Sequence, residues 1–175
     1  MKRFGSICLL IALALAGCSD DRGVSETAAE KHRETWEMED KVAKTQQQWR
    51  EELSPMEYRV LREKGTEPAY QNEYWDFDGE GVYKCAGCGL VLFSSDTKFA
   101  CGSGWPSFYQ AMEDGRIGTE TDTRHAMVRT EVHCNRCGGH LGHVFEDGPE
   151  PTGLRYCINS ASLDFQPADG NESAE

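Results

Sequence analysis

Alternation between apolar and polar residues is clearest near the end of the chain, over residues 153–160. Three apolar residues there alternate with three residues that carry polar or ionisable groups: Leu154, Tyr156 and Ile158 with Arg155, Cys157 and Asn159. A period of two predicts a strand with one buried face, which places Cys157 on the same side as Arg155 and Asn159. A neighbouring guanidinium lowers the pKa of a thiol and favours the nucleophilic thiolate. We therefore favour chemistry at Cys157 over the alternative, a thiol that packs as a small apolar residue.

Shorter apolar runs, separated by turn residues, precede this strand. They predict strands over 82–85, 90–93, 126–133 and 141–145, with a last apolar stretch over 154–165. Short strands at this spacing, with glycine turns between them, are typical of an all-β sheet core.

A helix is predicted before the sheet, because Ser54-Pro55-Met56-Glu57 has the residue order of a helix start. Serine is the N-cap, proline takes the first helical position and glutamate the third; Gly65 ends the helix. Upstream, residues 26–48 are charged and Gln-rich, with a thin apolar stripe at helical spacing. A solvated helix and a partly disordered linker are both compatible with that composition.

The first residues have the pattern of a signal peptide: a basic start, a short apolar run over 7–16, and small residues before Cys18. The apolar run is too short to span a bilayer as a mature helix. The arrangement is similar to the lipobox of bacterial lipoproteins, which implies cleavage before Cys18 and a lipid on that residue. An ordinary secretory signal followed by a chance cysteine is the alternative. The predicted organisation is a signal peptide (1–17), a lipidated tether (18–48), a folded domain (49–167) and a polar tail (168–175).

The net charge narrows the range of partners. The 175 residues carry a formal charge of −12, and loss of Lys2 and Arg3 with the signal peptide would make it −14, since two positive charges are removed. This negative charge argues against nucleic acid as a partner, because nucleic acid binds basic surfaces. It also argues against an additional electrostatic attraction to anionic lipid. We expect a monomer in the cell envelope, or periplasm, that is held to a bacterial membrane by its lipid alone.

Six of the eight cysteines remain after the signal-peptide cysteine and the lipidated one are set aside. Six cysteines in an exported protein would normally indicate three disulfides. Four of them, however, form two matched Cys-x-x-Cys-Gly turns: Cys85 and Cys88, and Cys134 and Cys137. Two such turns supply four thiolates, a donor set that suits structural Zn²⁺ with no open coordination position. Two separate disulfides, or redox Cys-x-x-Cys motifs, are the alternatives.

Two further stretches supply candidate pocket residues. Trp105 lies in a glycine-rich turn and is held extended by the proline that follows it, so its indole could form one wall of a small apolar pocket. Phe108 is a second candidate, and core packing is the alternative for both aromatic residues. His140 and His143 lie three residues apart beside the second Cys-x-x-Cys turn, where they could bind a substrate oxygen or relay a proton.

Cys101 is the cysteine left to partner Cys157 once four others bind metal. A reactive thiol with a second, otherwise idle thiol indicates a redox cycle. A free cysteine in a loop is the alternative reading of Cys101.

Taken together, the motifs of residues 49–167 resemble the methionine-R-sulfoxide reductases (type B). The matching motifs are Ser54-Pro55, Glu67-Pro68, Tyr74-Trp75, the two Cys-x-x-Cys turns, and the stretches 104–108, 140–145 and 155–163. The resemblance implies a mainly β fold of two antiparallel sheets with a structural zinc site and N-terminal helices. It also implies reduction of the R epimer of methionine sulfoxide in oxidised proteins, with a thioredoxin-like reductant.

The resemblance also implies roles for individual residues. Cys157 would be the nucleophile, supported by Arg155, and Trp105 would lie against the substrate methyl group. His140, His143 and Asn159 would surround the sulfoxide oxygen. Many members of the family carry the recycling cysteine at the position that Ser103 occupies here, whereas this chain has Cys101 two residues earlier. We expect Cys101 to take over that role.

Two other classes of protein are compatible with parts of this pattern. A zinc-stabilised binding module without catalysis would leave Cys157 unreactive towards alkylating agents. A thiol hydrolase would use Cys157 with a histidine and Asn159, and it would need no reductant. The presence of Cys101 counts against the hydrolase.

Overall fold

The computed structural model of the protein describes residues 41–168. Two short helices open this part of the chain, α1 (Gln46–Glu52) and α2 (Pro55–Leu61). Each begins with a capping box, in which the N-cap hydroxyl and the third helical side chain satisfy each other's backbone N–H groups: Thr45 with Gln48, and Ser54 with Glu57. The predicted start of α2 is confirmed. The helix ends at Leu61 rather than at Gly65, because Lys64 already adopts a left-handed φ of 53°.

Nine strands follow, arranged in two antiparallel sheets. In chain order they are β1 (Gly81–Cys85), β2 (Val91–Ser94), β3 (Lys98–Phe99), β4 (Ser107–Phe108), β5 (Ile117–Asp122), β6 (Arg129–Cys134), β7 (His140–Phe145), β8 (Arg155–Ile158) and β9 (Leu163–Pro167). The small sheet has the order β2-β1-β9 and the large sheet has the order β3-β4-β8-β7-β6-β5. The predicted fold class, mainly β with two antiparallel sheets, is confirmed.

Most of the predicted apolar runs form strands, with several differences. The predicted strand from 126 begins only at Arg129, because a short 3-10 turn with left-handed backbone at His125 and Ala126 precedes it. The predicted stretch 154–165 forms two strands, β8 and β9, separated by a 3-10 turn over Ser160–Ser162. The two-residue strands β3 and β4 were not predicted, and neither was β5. Its sequence, IGTETD, is mostly polar, and its middle residues are exposed, so a pattern of apolar residues could not reveal it.

The core lies between the two sheets and the two helices, around fully buried aromatic side chains. Trp49, Tyr83, Phe93 and Phe108 are each at most 1% exposed, and the Phe93 and Phe108 rings stack with centroids 4.3 Å apart. Phe108 therefore belongs to the core, which corrects its prediction as a substrate-binding residue. Core packing excludes it from any surface pocket.

The packed part of the chain begins before residue 49. Val42 packs against the core, and its backbone N–H donates to the carbonyl of Arg136 at 2.8 Å. Residues 42–48, predicted as the end of the tether, therefore belong to the folded body. The predicted signal peptide, the lipidation of Cys18 and most of the polar tail lie outside the described residues. Within residues 41–168 no helix has the length and apolar character needed to cross a membrane.

Candidate active site

Cys157 lies at the centre of the large sheet, on β8 between β4 and β7. Its register partners are Ser107 on β4 and His143 on β7. A Cβ atom at Gly142 would lie only 2.1 Å from the carbonyl oxygen of Cys157, so glycine is required for β7 and β8 to approach here. The strand pairing thus places a thiol and an imidazole from two consecutive strands side by side.

A small pocket opens over Cys157, with a volume of about 130 Å³. Its lining includes Trp105, Arg129, His143, Phe145, Cys157 and Asn159. The indole and the phenyl ring offer apolar contact, whereas the imidazole and the amide offer polar contact. This combination suits a ligand end with one small apolar group and one hydrogen-bonding oxygen.

One backbone segment holds both the apolar and the polar wall of this pocket. The indole Nε1–H of Trp105 donates to the carbonyl of Glu67 at 3.2 Å, and the N–H of Glu67 donates to Oδ1 of Asn159 at 3.2 Å. The other end of that amide, Nδ2, donates to the carbonyl of Leu141 at 2.9 Å. The Glu67 carboxylate is itself buried and accepts from the backbone N–H of Ala161 at 2.8 Å. The pocket is therefore built on rigid contacts.

His143 is neutral and oriented by a buried carboxylate. Its Nε2 lies 2.8 Å from Oδ2 of Asp122, and burial lowers the pKa of His143 despite this partner. Because the carboxylate accepts a hydrogen bond, we assign the ring proton to Nε2. The other nitrogen, Nδ1, is then free to accept a proton, and Asp122 would stabilise the resulting imidazolium.

His140 lies behind the site rather than in it. It is 1% exposed and does not line the pocket over Cys157. Its Nδ1 lies 2.7 Å from Oε1 of Glu131, whose carboxylate also accepts from Lys64 at 2.7 Å. The rings of His140 and His143 have centroids 5.5 Å apart. Of the two predicted histidines, therefore, only His143 faces the pocket.

Arg155 supports the site less directly than the sequence indicated. Its guanidinium forms two hydrogen bonds of 2.8 Å with Asp147 and lies over the ring of Phe145, 4.4 Å from its centroid. Burial raises the pKa of Cys157, and the hydrogen bond with Ser103 and the charge of Arg155 only partly oppose this. The prediction that Arg155 keeps Cys157 ionised is therefore wrong for the resting protein. Burial destabilises the thiolate by more than the charge of the guanidinium stabilises it.

Cys101 reaches Cys157 through a serine hydroxyl. Its Sγ lies 3.1 Å from Oγ of Ser103 and 3.0 Å from Oγ of Ser107, and Oγ of Ser103 lies 3.9 Å from Sγ of Cys157. The two sulfurs are thus at most about 7 Å apart, the sum of 3.1 Å and 3.9 Å. Burial alone would raise the pKa of Cys101, but its hydrogen bonds to the two serines lower it.

The four cysteines of the Cys-x-x-Cys turns converge on one point. Their sulfurs all lie within 4.8 Å of one another, and the pairs Cys85–Cys137 and Cys88–Cys134 are each 3.6 Å apart. These distances exceed a disulfide bond of about 2.05 Å. They are close to the edge of about 3.8 Å that a tetrahedron with Zn–S bonds of about 2.3 Å would have. The four residues therefore fit a metal ion. None of them forms a disulfide in the structure, which corrects the alternative of two disulfides.

Several residues that build this site were not predicted. Asp122, Glu131 and Asp147 orient the two histidines and Arg155, and Ser103 joins the two thiols. Glu67 was noted only as part of a motif. Asp122 lies in the strand that sequence patterns missed, and isolated carboxylates in polar stretches carry no periodic signal. A buried carboxylate becomes recognisable only when its partners are seen.

The buried carboxylate of Asp122 should make stability depend on acid pH. Its hydrogen bonds with Arg124 and His143 hold its pKa well below the usual range. A depressed pKa stabilises the native state fully above the unfolded value of about 3.9, and that contribution declines as the pH falls from there towards the native pKa. We expect Asp122→Asn to lower the urea midpoint strongly at pH 6 and by a smaller amount at pH 3.

Glu113→Gln is the matched control for this measurement, because Glu113 is exposed and pairs only with Arg116 at the surface. Its midpoint should differ little from that of the unmodified protein at either pH. An Asp122→Asn deficit of equal size at both pH values would show that the lost contribution is not electrostatic.

The site and the fold together define a class of protein, a thiol oxidoreductase built on a β fold with a four-cysteine cluster that can hold a metal ion. Residues 53–167 match the SelR domain model. The chain is 63% identical over 126 residues to a peptide methionine sulfoxide reductase MsrB of Thiobacillus denitrificans, covering 72% of this chain and 96% of that one. Proteins with the same name from Leptospira interrogans and Bradyrhizobium diazoefficiens are 59% and 58% identical, covering 71% and 74% of this chain and 95% and 93% of theirs. The chain therefore belongs to the SelR-domain family of MsrB methionine-R-sulfoxide reductases.

Proposed function

We propose that this reductase returns the R epimer of methionine sulfoxide, free or in proteins, to methionine through chemistry at Cys157. The observation that carries the proposal is the small pocket over the Cys157 sulfur, with Trp105 as its apolar wall and His143 and Asn159 as its polar one. The substrate methyl group would lie against the indole, and the sulfoxide oxygen would face the imidazole and the amide. In the S epimer the methyl group and the oxygen exchange places. The oxygen would then face the indole, and the methyl group would face the imidazole and the amide.

The raised pKa of Cys157 fits this chemistry, because the sulfoxide oxygen needs a proton before it can leave sulfur. The Cys157 thiol would pass its proton through Nδ1 of His143 to that oxygen, while the sulfur attacks. Methionine is released and Cys157 becomes a sulfenic acid, so sulfur in the substrate is reduced and sulfur in the enzyme is oxidised by two electrons.

Cys101 would resolve the sulfenic acid. Its thiolate attacks the Cys157 sulfur, hydroxide leaves as water after protonation, and a Cys101–Cys157 disulfide forms. The side chain of Ser103, which lies between the two sulfurs, must turn aside for this step. A thioredoxin-like dithiol would then reduce the disulfide.

We propose that the metal of the four-cysteine site is Zn²⁺ with a structural role. Four protein sulfurs complete a tetrahedral shell and leave no position for substrate. The site joins the end of β1 to the end of β6, so it would tie the small sheet to the large one. Its residues hold the fold and take no part in the redox steps.

We further propose that the enzyme works in the bacterial cell envelope as a lipid-anchored monomer that repairs oxidised proteins there. The support is the signal-like start of the chain and the position of Cys18 after small residues. Cys18→Ala should move the expressed protein from the membrane fraction to the soluble fraction. Unchanged membrane attachment in that variant would contradict the lipid anchor.

The main proposal is tested by assaying the purified protein on separated R and S epimers of N-acetyl-methionine sulfoxide amide with dithiothreitol. We expect turnover of the R epimer and none of the S epimer. Equal rates on the two epimers would overturn the assignment of the two pocket walls.

Cys101→Ser should separate the two halves of the cycle. One equivalent of methionine should form per enzyme at the normal rate, but steady-state turnover with thioredoxin should fall by at least about tenfold, because no disulfide can form. Rapid-quench measurement of methionine, with mass spectrometry of Cys157, gives both results. Undiminished thioredoxin turnover in this variant would remove Cys101 from the cycle.

A further inference from the structure

A second and larger cavity opens beside the active site, with a volume of about 420 Å³. Its lining includes Trp75, Phe77, Lys98, Cys101 and Trp105. Trp105 is the only residue that it shares with the pocket over Cys157. The indole of Trp105 thus stands between a substrate pocket that contains Cys157 and a separate cavity that contains Cys101.

The aromatic wall of this cavity is held in place by its neighbours. The rings of Tyr70 and Trp75 meet edge to face with centroids 5.5 Å apart, and the Tyr70 hydroxyl donates to the carbonyl of Gly102, next to Cys101. Phe77 packs on Phe165 with centroids 4.7 Å apart. Trp75 is nevertheless 36% exposed. Its indole is therefore both fixed and available to a partner.

The two cysteines of the cycle differ in access. Cys101 is exposed, whereas Cys157 is half-buried between two strands. Reduction of a Cys101–Cys157 disulfide requires an incoming thiolate to reach one of its sulfurs along the S–S axis. Attack at Cys101 forms a mixed disulfide and releases Cys157 as a thiolate, whose charge Arg155 favours. A second thiol of the reductant then attacks its own sulfur in the mixed disulfide, and Cys101 leaves.

We propose that this cavity is the docking surface for the dithiol protein that reduces the enzyme, and that Trp75 is its principal contact. The inference rests on the redox cycle proposed above and names the surface through which that cycle is closed. The partner would present its reactive thiol within an apolar surface. That surface would carry no acidic side chain opposite Asp76 and Asp78, which line the cavity and are exposed.

The position of Cys101 is what favours the reductant over a stretch of oxidised polypeptide as the occupant. A substrate must place its sulfoxide at Cys157, in the pocket that Cys101 does not line. A reductant must place its thiol at the exposed sulfur, in the cavity that Cys157 does not line. The pocket that would hold the substrate therefore contains Cys157, the sulfur that attacks the sulfoxide. The cavity that would hold the reductant contains Cys101, the sulfur that the reductant attacks.

The test compares Trp75→Ser and Trp75→Phe with Met112→Ser in the full-length, zinc-loaded protein. Met112 is 44% exposed and lines neither cavity, so it is a matched surface control. Turnover of an R-sulfoxide is measured with a bacterial thioredoxin, its reductase and NADPH, and again with dithiothreitol. Rapid-quench alkylation follows the formation of the Cys101–Cys157 disulfide in a single turnover.

We expect Trp75→Ser to raise the KM for thioredoxin about tenfold, the usual cost of truncating a central aromatic contact. The rate with dithiothreitol and the rate of disulfide formation should be unchanged. Trp75→Phe should restore most of the thioredoxin KM, and Met112→Ser should leave it unaltered. A protein that fails with dithiothreitol before any substitution would instead count against the reductase chemistry itself.

Three results would overturn the docking proposal. The thioredoxin KM of Trp75→Ser could be normal. The variant could slow disulfide formation as well, which would show that Trp75 acts on the Cys101 loop. Finally, the KM for an oxidised peptide could rise while that for thioredoxin stays constant, which would make the cavity a substrate surface.

Discussion

Cys157→Ser is expected to lose turnover of R-methionine sulfoxide by a factor on the order of 10⁴ or more. Serine keeps the size of the side chain, but its hydroxyl is a far weaker nucleophile and forms no sulfenic acid. Cys157 is half-buried on β8, between β4 and β7. In that position the exchange of sulfur for oxygen is a small structural change. The loss should therefore be chemical, with the thermal midpoint nearly unaltered.

Steady-state assays with dithiothreitol and rapid-quench measurement of a single turnover would establish this result. Cys101→Ser is the matched control, since it makes the same substitution in the neighbouring thiol and should retain the first turnover. Methionine formation by Cys157→Ser at a rate near that of the unmodified protein would show that another group attacks the sulfoxide.

Removal of the metal is expected to have the largest effect on stability. Structural Zn²⁺ contributes about 10–16 kcal/mol to the folding of small zinc domains, and a protein of this size has a net stability of only about 5–15 kcal/mol. Cys137→Ser removes one of four converging sulfurs and should leave a site that holds zinc weakly. We expect the thermal midpoint to fall by tens of degrees, or the protein to be recovered unfolded.

Circular dichroism and metal analysis of the purified variant test this prediction, with chelation of the unmodified protein as a second route. Cys101→Ser again serves as the control, because it removes a thiol outside the cluster and should keep one zinc per chain. Cooperative unfolding of Cys137→Ser at the normal temperature would show that the four sulfurs do not stabilise the fold through a metal.

The predictions for Cys157→Ser and Cys137→Ser distinguish two groups of cysteines with different roles. Four sulfurs lie within 4.8 Å of one another and fit a shared metal, whereas Cys101 and Cys157 are free thiols that we propose form one disulfide during turnover. Replacement within the first group should remove the fold. Replacement within the second should leave the fold intact and impair catalysis, at the first turnover for Cys157 and at recycling by thioredoxin for Cys101.

Local sequence determined much of this protein. Matched Cys-x-x-Cys turns indicated the metal ligands, because tetrahedral coordination needs only residue type and short spacing. The capping residues of α2 and most strands were also predictable, since they depend on neighbours along the chain. The same holds for Trp105 and Cys157 as candidates for chemistry, because each stands out against its immediate surroundings.

Other features were decided by tertiary structure alone. Whether Phe108 belongs to the core or the pocket depends on Phe93 across the sheet interface. Whether His140 or His143 faces the pocket over Cys157 depends on the register of β7. The pKa of Cys157 likewise rises because burial, with β4 and β7 paired on either side of its strand, removes water from its sulfur. Burial and long-range pairing are properties of the packed chain, and no local pattern reports them.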